Sequence, residues 1–305
     1  MGLGGGRVCI EISGSLNLEL SMYASFASSL YRYIYPGLWY KAVGFGRGHV
    51  IEALPGKLCC SGEGCSTRLL RLVSGEWCIS QCIRGLEEAG YGWLLDLYPG
   101  LRVLAVPPED RLIAAAASVL ATWTSYVGNV RSWIGRIFGE TALPNGRVLL
   151  DKARRIALTI RNPQVQMLAA ALPELARVVE EIDGLAPPEA RRRLLQVRWV
   201  GPKAADLTLL FTGITTMVAP GDRHLRRLIS DLWGYDTRPR EKVSCLSGSA
   251  WCPRCRFRGD CLQGLIVDVF GPGSGLLQTI AYVYGRLGPD AWRAKLRKSL
   301  EHYFR

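Results

Sequence analysis

Lys203 and Asp222 are the residues with which this sequence could do covalent chemistry. Lys203 heads an apolar run directly after the tight turn Val200-Gly201-Pro202, and nineteen residues later Asp222 stands in a Pro-Gly-Asp-x-His turn that opens another helix. A lysine at a helix start is electrostatically misplaced, because its charge opposes the positive end of the helix dipole. Desolvated and brought near one carboxylate, the same amine becomes a nucleophile with an acid–base partner. Asp222 also suits a plain N-cap, a role compatible with chemistry.

The second reactive set is Cys245-x6-Cys252-x2-Cys255-x5-Cys261, four cysteines within 17 residues. A compact loop of four thiolates suits a 4Fe–4S cluster, one thiolate per iron. Zinc ribbons pair two Cys-x2-Cys knuckles and this loop has one, so zinc in the same ligands is the alternative. Cys59, Cys60, Cys65, Cys78 and Cys82 form another group, at spacings that fit no metal pattern. Free thiols or one disulfide are expected of them.

These residues need a scaffold. Val8–Ile12, Trp39–Val43 and His49–Leu54 are β-prone runs between Gly and Pro, the pattern of a small antiparallel sheet. Glu76–Gly90 reads as a helix ended by glycine. Helical periods then follow at Pro108–Trp123, Tyr126–Phe138, Lys152–Ile160, Gln164–Val179 and Pro188–Gln196, bounded by Pro, Gly or Asn. Trp292, Leu296 and Leu300 form a helical stripe with Lys295, Arg297 and Lys298 around it, the signature of core packing with a basic rim. The expected fold class is α+β, mainly α. The expected divisions are a β-rich domain over 1–100, a helical catalytic domain over 101–240, a cluster loop over 241–265 and C-terminal helices over 266–305.

The chain of 305 residues carries a formal charge of +12, with 38 basic residues, of which seven are Lys and 31 Arg. So basic a folded protein points to an anionic partner, most often nucleic acid, and arginine grips phosphate with a planar fork. The arginine bias is equally expected of a GC-rich genome or a thermophilic prokaryote or archaeon. An apolar fraction of 49% excludes a disordered chain. The best candidate for a membrane span, Leu112–Trp123, is too short to cross a bilayer. The start MGLGGGRVCIEI lacks the basic and apolar regions of a signal peptide, so an intracellular location is expected.

The two reactive sets together resemble the helix-hairpin-helix DNA glycosylase superfamily. Val197-Arg198-Trp199-Val200-Gly201-Pro202-Lys203 and Gly221-Asp222-Arg223-His224 are similar to that family's hairpin and its later aspartate turn, with Trp199 where the family has its first hairpin glycine. The cysteine spacing is similar to the iron–sulfur loop of endonuclease III and the adenine mismatch glycosylases. Phe270-Gly271-Pro272-Gly273-Ser274-Gly275-Leu276-Leu277-Gln278-Thr279-Ile280-Ala281-Tyr282 resembles a segment of eukaryotic-type 8-oxoguanine DNA glycosylases. Those eukaryotic enzymes lack the cluster, so the chain resembles an 8-oxoguanine-type body joined to an endonuclease III-type loop.

The resemblance implies a bifunctional DNA glycosylase and AP lyase with Lys203 as Schiff-base nucleophile and Asp222 as its carboxylate. It implies a base pocket of Gln278 and Tyr282, which share a helix face at i and i+4. Gly201 and His224 would contact DNA phosphates and Trp123 would stand where the family's wedge enters the helix. Lys152, Arg154 and Arg155 align with the contacts to the orphan base, although a solvated basic face explains them too. The cluster would hold Arg254, Arg256 and Arg258 against the DNA backbone. The expected partner is double-stranded DNA containing a damaged base, bound by a monomer. Two other readings stay open at this point: excision of oxidised pyrimidines, as in endonuclease III, and a non-catalytic iron–sulfur protein that binds damage.

Overall fold

The computed structural model describes residues 6–234 and 236–304, so the first five residues of the glycine-rich start lie outside it. A five-stranded antiparallel sheet comes first: β1 Arg7–Glu11, β2 Tyr31–Tyr35, β3 Leu38–Lys41, β4 Val50–Leu54 and β5 Lys57–Ser61, in spatial order β1-β5-β4-β3-β2. The three runs picked by alternation are strands β1, β3 and β4. β2 and β5 are additions. The short helix α1, Leu18–Tyr23, connects β1 to β2 and is capped by Asn17.

Helices make up the rest. α2 Thr67–Val73, α3 Ile79–Glu88 and α4 Leu94–Leu97 follow the sheet directly. Then come α5 Arg111–Leu120, α6 Arg131–Phe138, α7 Leu150–Thr159, α8 Pro163–Glu181, α9 Pro187–Gln196, α10 Pro202–Phe211 and α11 Arg223–Trp233. α12 Lys242–Ser247, α13 Leu262–Phe270, α14 Ser274–Leu287 and α15 Trp292–Tyr303 complete the chain. The helix expected to run to Trp123 stops at Leu120 and gives way to a turn, and Tyr126–Val130 is one wide π turn before α6. The α+β, mainly helical class read from the sequence is the one observed. Trp292, Leu296 and Leu300 are buried, as their stripe requires.

One correction concerns the N-terminal cysteines. Instead of at most one disulfide there are two, Cys9–Cys59 and Cys60–Cys65, while Cys78 and Cys82 are free and buried. Cys9 and Cys59 are directly opposed in the β1–β5 register, which places their side chains on one face of the pair. That pairing spans 50 residues and depends on a register that local pattern does not carry.

A buried ion pair fastens the sheet to the helices. Lys41 Nζ on β3 donates to Asp110 Oδ2 at 2.6 Å with both side chains fully buried, and Asp110 Oδ1 accepts from the Phe45 amide at 2.8 Å. Burial pulls the Lys41 amine down and pushes the Asp110 carboxyl up, while each partner's charge opposes that shift in the other. Asp110 sits in the turn that starts α5, so this pair fixes the helix whose far end opens onto the candidate site.

The longest apolar segment, Leu262–Leu287, has the length and composition of a membrane span, unlike the shorter run considered from sequence. It comprises α13 and α14 broken by a turn at Gly271–Gly273, and 72% of the apolar window is buried within the fold. Core packing accounts for it.

Candidate active site

Val197–Pro202 brings Lys203 to the second position of α10. Gly201 is the N-cap, extended at φ −95° and ψ 179°, and Pro202 fills the first helical position, where a missing N–H costs nothing. Beyond the first turn α10 is buried throughout from Ala204 to Phe211, so the lysine emerges from a rigid core helix. Trp199 has φ +68°, the left-handed conformation that glycine adopts freely and tryptophan rarely does. The turn before α10 thus adopts at Trp199 a backbone shape that suits glycine. The Trp199 ring is over a third exposed and has the Arg198 guanidinium 4.8 Å from its centroid.

Lys203 is half-buried, and its Nζ donates to the carbonyls of Ala121 at 2.8 Å and Thr122 at 3.4 Å, in the turn that ends α5. Burial depresses the amine's pKa, with Arg223 assisting and Asp222 opposing. Asp222 caps α11. Its Oδ1 accepts from the amides of His224 and Leu225, both at 2.9 Å, and its Oδ2 accepts from Gln278 Nε2 at 3.3 Å. The plain N-cap role and a position facing Lys203 are therefore held by the same carboxylate.

Lys203, Asp222, His224, Gln278 and Tyr282 all line one cavity of about 490 Å³, and Trp123 stands on its wall with 59% of its surface exposed. α11 and α14 pack along each other, which brings Gln278 and Tyr282 beneath the Asp222 turn. Tyr282 lies between the rings of Tyr23 and His224, with centroids at 5.9 Å and 5.3 Å. Gln278 Oε1 and the Tyr282 hydroxyl are buried and lack hydrogen-bond partners among the described residues. An acceptor and a hydroxyl on residues of the cavity wall are therefore left unsatisfied, an arrangement that costs stability unless a ligand completes it. Burial, with Tyr23 next, holds the Tyr282 hydroxyl well above the ordinary phenol range.

Sequence reasoning missed several wall residues. Tyr23, whose ring packs on Tyr282, sits on α1, while Phe26 and Tyr126 line the cavity from segments far away in the chain. Arg286 does carry a readable signal, because it continues the four-residue spacing Gln278, Tyr282, Arg286 on α14. With Arg223, Arg227 and His224 it also lines an adjoining cavity of about 410 Å³, a basic extension of the site.

The remaining predicted residues lie elsewhere. Cys245, Cys252 and Cys261 are buried and Cys255 half-buried around one small hollow, beside Arg191. Arg191 is buried on α9, donating to Asp206 Oδ1 at 2.5 Å and to the Ala250 carbonyl at 2.8 Å. Arg254, Arg256 and Arg258 are exposed around this loop, with Arg256 stacked 4.7 Å from the Phe257 centroid. Lys152, Arg154 and Arg155 lie on α7, where Lys152 pairs with Glu140 at 3.3 Å and joins Arg155 in a separate surface groove.

No family model matches the chain. A probable N-glycosylase/DNA lyase of Methanothermobacter thermautotrophicus is 29% identical over 178 residues, 48% of this chain and 57% of that protein, so the chain spans under two thirds of that relative. MBOgg1, solved in complex with a low-affinity DNA ligand, superposes with a TM-score of 0.63 at 14% identity, covering 92% of this chain and 96% of that one. The Clostridium acetobutylicum 8-oxoguanine glycosylase/lyase, bound to double-stranded DNA with cytosine opposite 8-oxoG, gives 0.62 at 15% identity over 92% and 97%. The 3-methyladenine DNA-glycosylase of Archaeoglobus fulgidus gives 0.58 at 16% identity over 92% and 98%. At such identities the likeness is one of fold, and the chain has the fold of the helix-hairpin-helix DNA glycosylases.

Proposed function

We propose that this protein is a DNA N-glycosylase with AP-lyase activity that removes 8-oxoguanine from duplex DNA. The observation that carries the reading is the single cavity lined by a desolvated lysine, a carboxylate and two unsatisfied polar groups on α14. Deaminases and hydrolases that use only activated water have no need of the amine. The solved 8-oxoguanine glycosylase/lyases of the same fold support the choice of lesion.

The neutral Lys203 amine attacks the sugar C1′ as the bond to the base nitrogen breaks, and the base leaves with that electron pair and takes up a proton. Asp222, as carboxylate, offsets the positive charge that develops on the sugar. Ring opening gives an imine between Lys203 and C1′. Loss of a C2′ proton then expels the 3′ phosphate, breaking the C3′–O3′ bond. A flipped purine stacks on the Tyr282 ring, and Gln278 Oε1 accepts from an N–H on its polar edge. The depressed amine pKa raises the neutral fraction that the first step needs. Before attack, the amine must leave the Ala121 and Thr122 carbonyls, which adjoin Trp123, the residue we assign as the wedge.

Gly201 and His224 hold phosphates at the starts of α10 and α11, and exposed Arg256 extends the backbone contact. Lys203, Asp222, Gln278 and Tyr282 belong to the helical division over 101–240 and the C-terminal helices over 266–305 that we assign, Arg256 belongs to the loop over 241–265, and Phe26 of the division over 1–100 completes the cavity wall. An intracellular monomer is the form in which we expect it to act.

The donor set Cys245, Cys252, Cys255 and Cys261 fits a 4Fe–4S cluster. Beside it, Arg191 Nη2 is buried with no partner at full hydrogen-bond geometry among the described residues, and the Arg191 charge faces Cys245 and Cys252, as a donor to an anionic neighbour would. Among the described residues no three of these sulfurs come within 4.8 Å of one another, wider than one zinc ion at about 2.3 Å from each thiolate would draw them. When bound, the cluster would serve as a structural anchor for the basic loop.

The test is base release from a panel of duplexes carrying 8-oxoguanine or an oxidised pyrimidine opposite each base. Release of 8-oxoguanine that falls sharply in Gln278→Ala supports the reading. Preferential release of oxidised pyrimidines, unaffected by that variant, would replace it with the endonuclease III-like alternative.

A further inference from the structure

We propose that His49, Cys60 and Cys65 form a second metal site, for a zinc-like divalent ion, that becomes available when the Cys60–Cys65 disulfide is reduced. The ligand atoms of these three residues lie within 4.8 Å of one another, the one such cluster of three among the described residues. It lies in the N-terminal region, remote in sequence from the Cys245–Cys261 loop, and does not depend on the enzymatic reading.

The ligand chemistry is in place before any ion arrives. His49 is fully buried and its Nε2 lies 2.9 Å from the Tyr31 hydroxyl. In the tautomer with Nε2–H donating to that oxygen, Nδ1 keeps a free lone pair, and the second nitrogen is anchored as in many metal-bound histidines. Nδ1 is buried and meets no partner at full hydrogen-bond geometry among the described residues. The Gly46 and Glu63 carbonyls stand close enough to the ring to attract a proton on it, and an ion on Nδ1 would displace those contacts.

Glycines create the close approach. A Cβ on Gly62 would fall 2.9 Å from His49 Cα, one on Gly64 2.9 Å from Gly46 Cα and one on Gly46 2.9 Å from His49 Nδ1. The 44–49 turn and the 62–65 loop therefore close on each other more tightly than side chains permit. Cys60 is fixed on β5, while Cys65 is half-buried in a loop flanked by Gly64. Coordination requires that loop to move the two sulfurs to the spacing of about 3.8 Å that two thiolates adopt on one ion with bonds of about 2.3 Å.

The chemistry balances with a dithiol reductant. It supplies two electrons and two protons, converting the disulfide to two thiols and itself becoming a disulfide. A divalent ion then displaces both thiol protons to solvent and is held by two thiolates and the Nδ1 lone pair, with no net charge added to the interior.

The experiment uses the full chain, reduced with a phosphine under anaerobic conditions and titrated with zinc alone. Wild type is expected to bind one equivalent more than the Cys60→Ser/Cys65→Ser double variant, since the C-terminal cysteines are common to both. His49→Ala should lose that equivalent or hold it more weakly. Equal stoichiometry in wild type and the double variant would overturn the proposal. A second measurement needs wild type only: zinc should protect Cys60 and Cys65 from alkylation, read by peptide mass spectrometry. Alkylation of both at the same rate with and without zinc would overturn it as well.

Discussion

Replacing Asp222 by Asn or by Ala should separate its two jobs. Its Oδ1 accepts two amide hydrogen bonds at the start of α11, and its Oδ2 accepts from Gln278. Asparagine keeps a cap acceptor of similar strength and loses the charge at the helix N-terminus, a cost of about 0.5 kcal/mol. Alanine loses the cap as well, about 1 kcal/mol more, and strands the Gln278 amide. At about 2–4 °C per kcal/mol for a chain of this size, Asp222→Asn should melt about 1–2 °C below wild type and Asp222→Ala about 3–6 °C below it. Both lose the carboxylate, so single-turnover excision of 8-oxoguanine should fall by about 10²–10⁴ in each. Thermal melts and excision rates on the same preparations read the two effects apart. Excision near the wild-type rate in Asp222→Asn would refute the catalytic assignment. A Tm loss in Asp222→Asn as large as in Asp222→Ala would refute the cap argument.

Other outcomes follow from named contacts. Trp199→Gly should leave thermal stability within about 1 kcal/mol of wild type, because release of left-handed strain offsets the added chain entropy. Trp199→Val should lose more than about 1 kcal/mol, since a β-branched residue is poorly accommodated at φ +68°; equal melting of the two variants would contradict the strain argument. Asp110→Ala should cost about 3–5 kcal/mol by leaving the Lys41 charge buried and alone, whereas Lys41→Met with Asp110→Leu should recover most of it. A denaturant melt showing the single variant no worse than the double would sink that account. The rate of imine formation should rise with pH and level off below the ordinary lysine pKa, since burial and Arg223 depress Lys203. Arg223→Ala should move the midpoint up and Asp222→Asn should move it down. The sign for stability is the same: the folded state binds fewer protons at this amine than the unfolded state, so its contribution improves as pH rises. A midpoint at or above that of free lysine would contradict the depression.

Much of the site was legible because its signals are local. Lys203 after a Gly-Pro turn, Asp222 after Pro-Gly, and Gln278 and Tyr282 one helical turn apart can all be read within a few residues. Trp199 shows what a sequence pattern leaves out: a tryptophan holds the left-handed conformation that a glycine would have signalled. The strand β5, KLCCS, was missed because it is buried at three consecutive positions and shows no alternation. Contacts set by tertiary packing were not legible. The Ala121 carbonyl that holds Lys203 is 82 residues away from it, the Lys41–Asp110 pair spans 69 residues, and Cys9 meets Cys59 through strand register.

The most direct test of the central claim is borohydride trapping on a duplex containing 8-oxoguanine. Wild type should yield a covalent protein–DNA complex whose cross-linked peptide carries Lys203, and Lys203→Ala should yield none. No complex with wild type, or an undiminished one with Lys203→Ala, would contradict a lysine imine at this site.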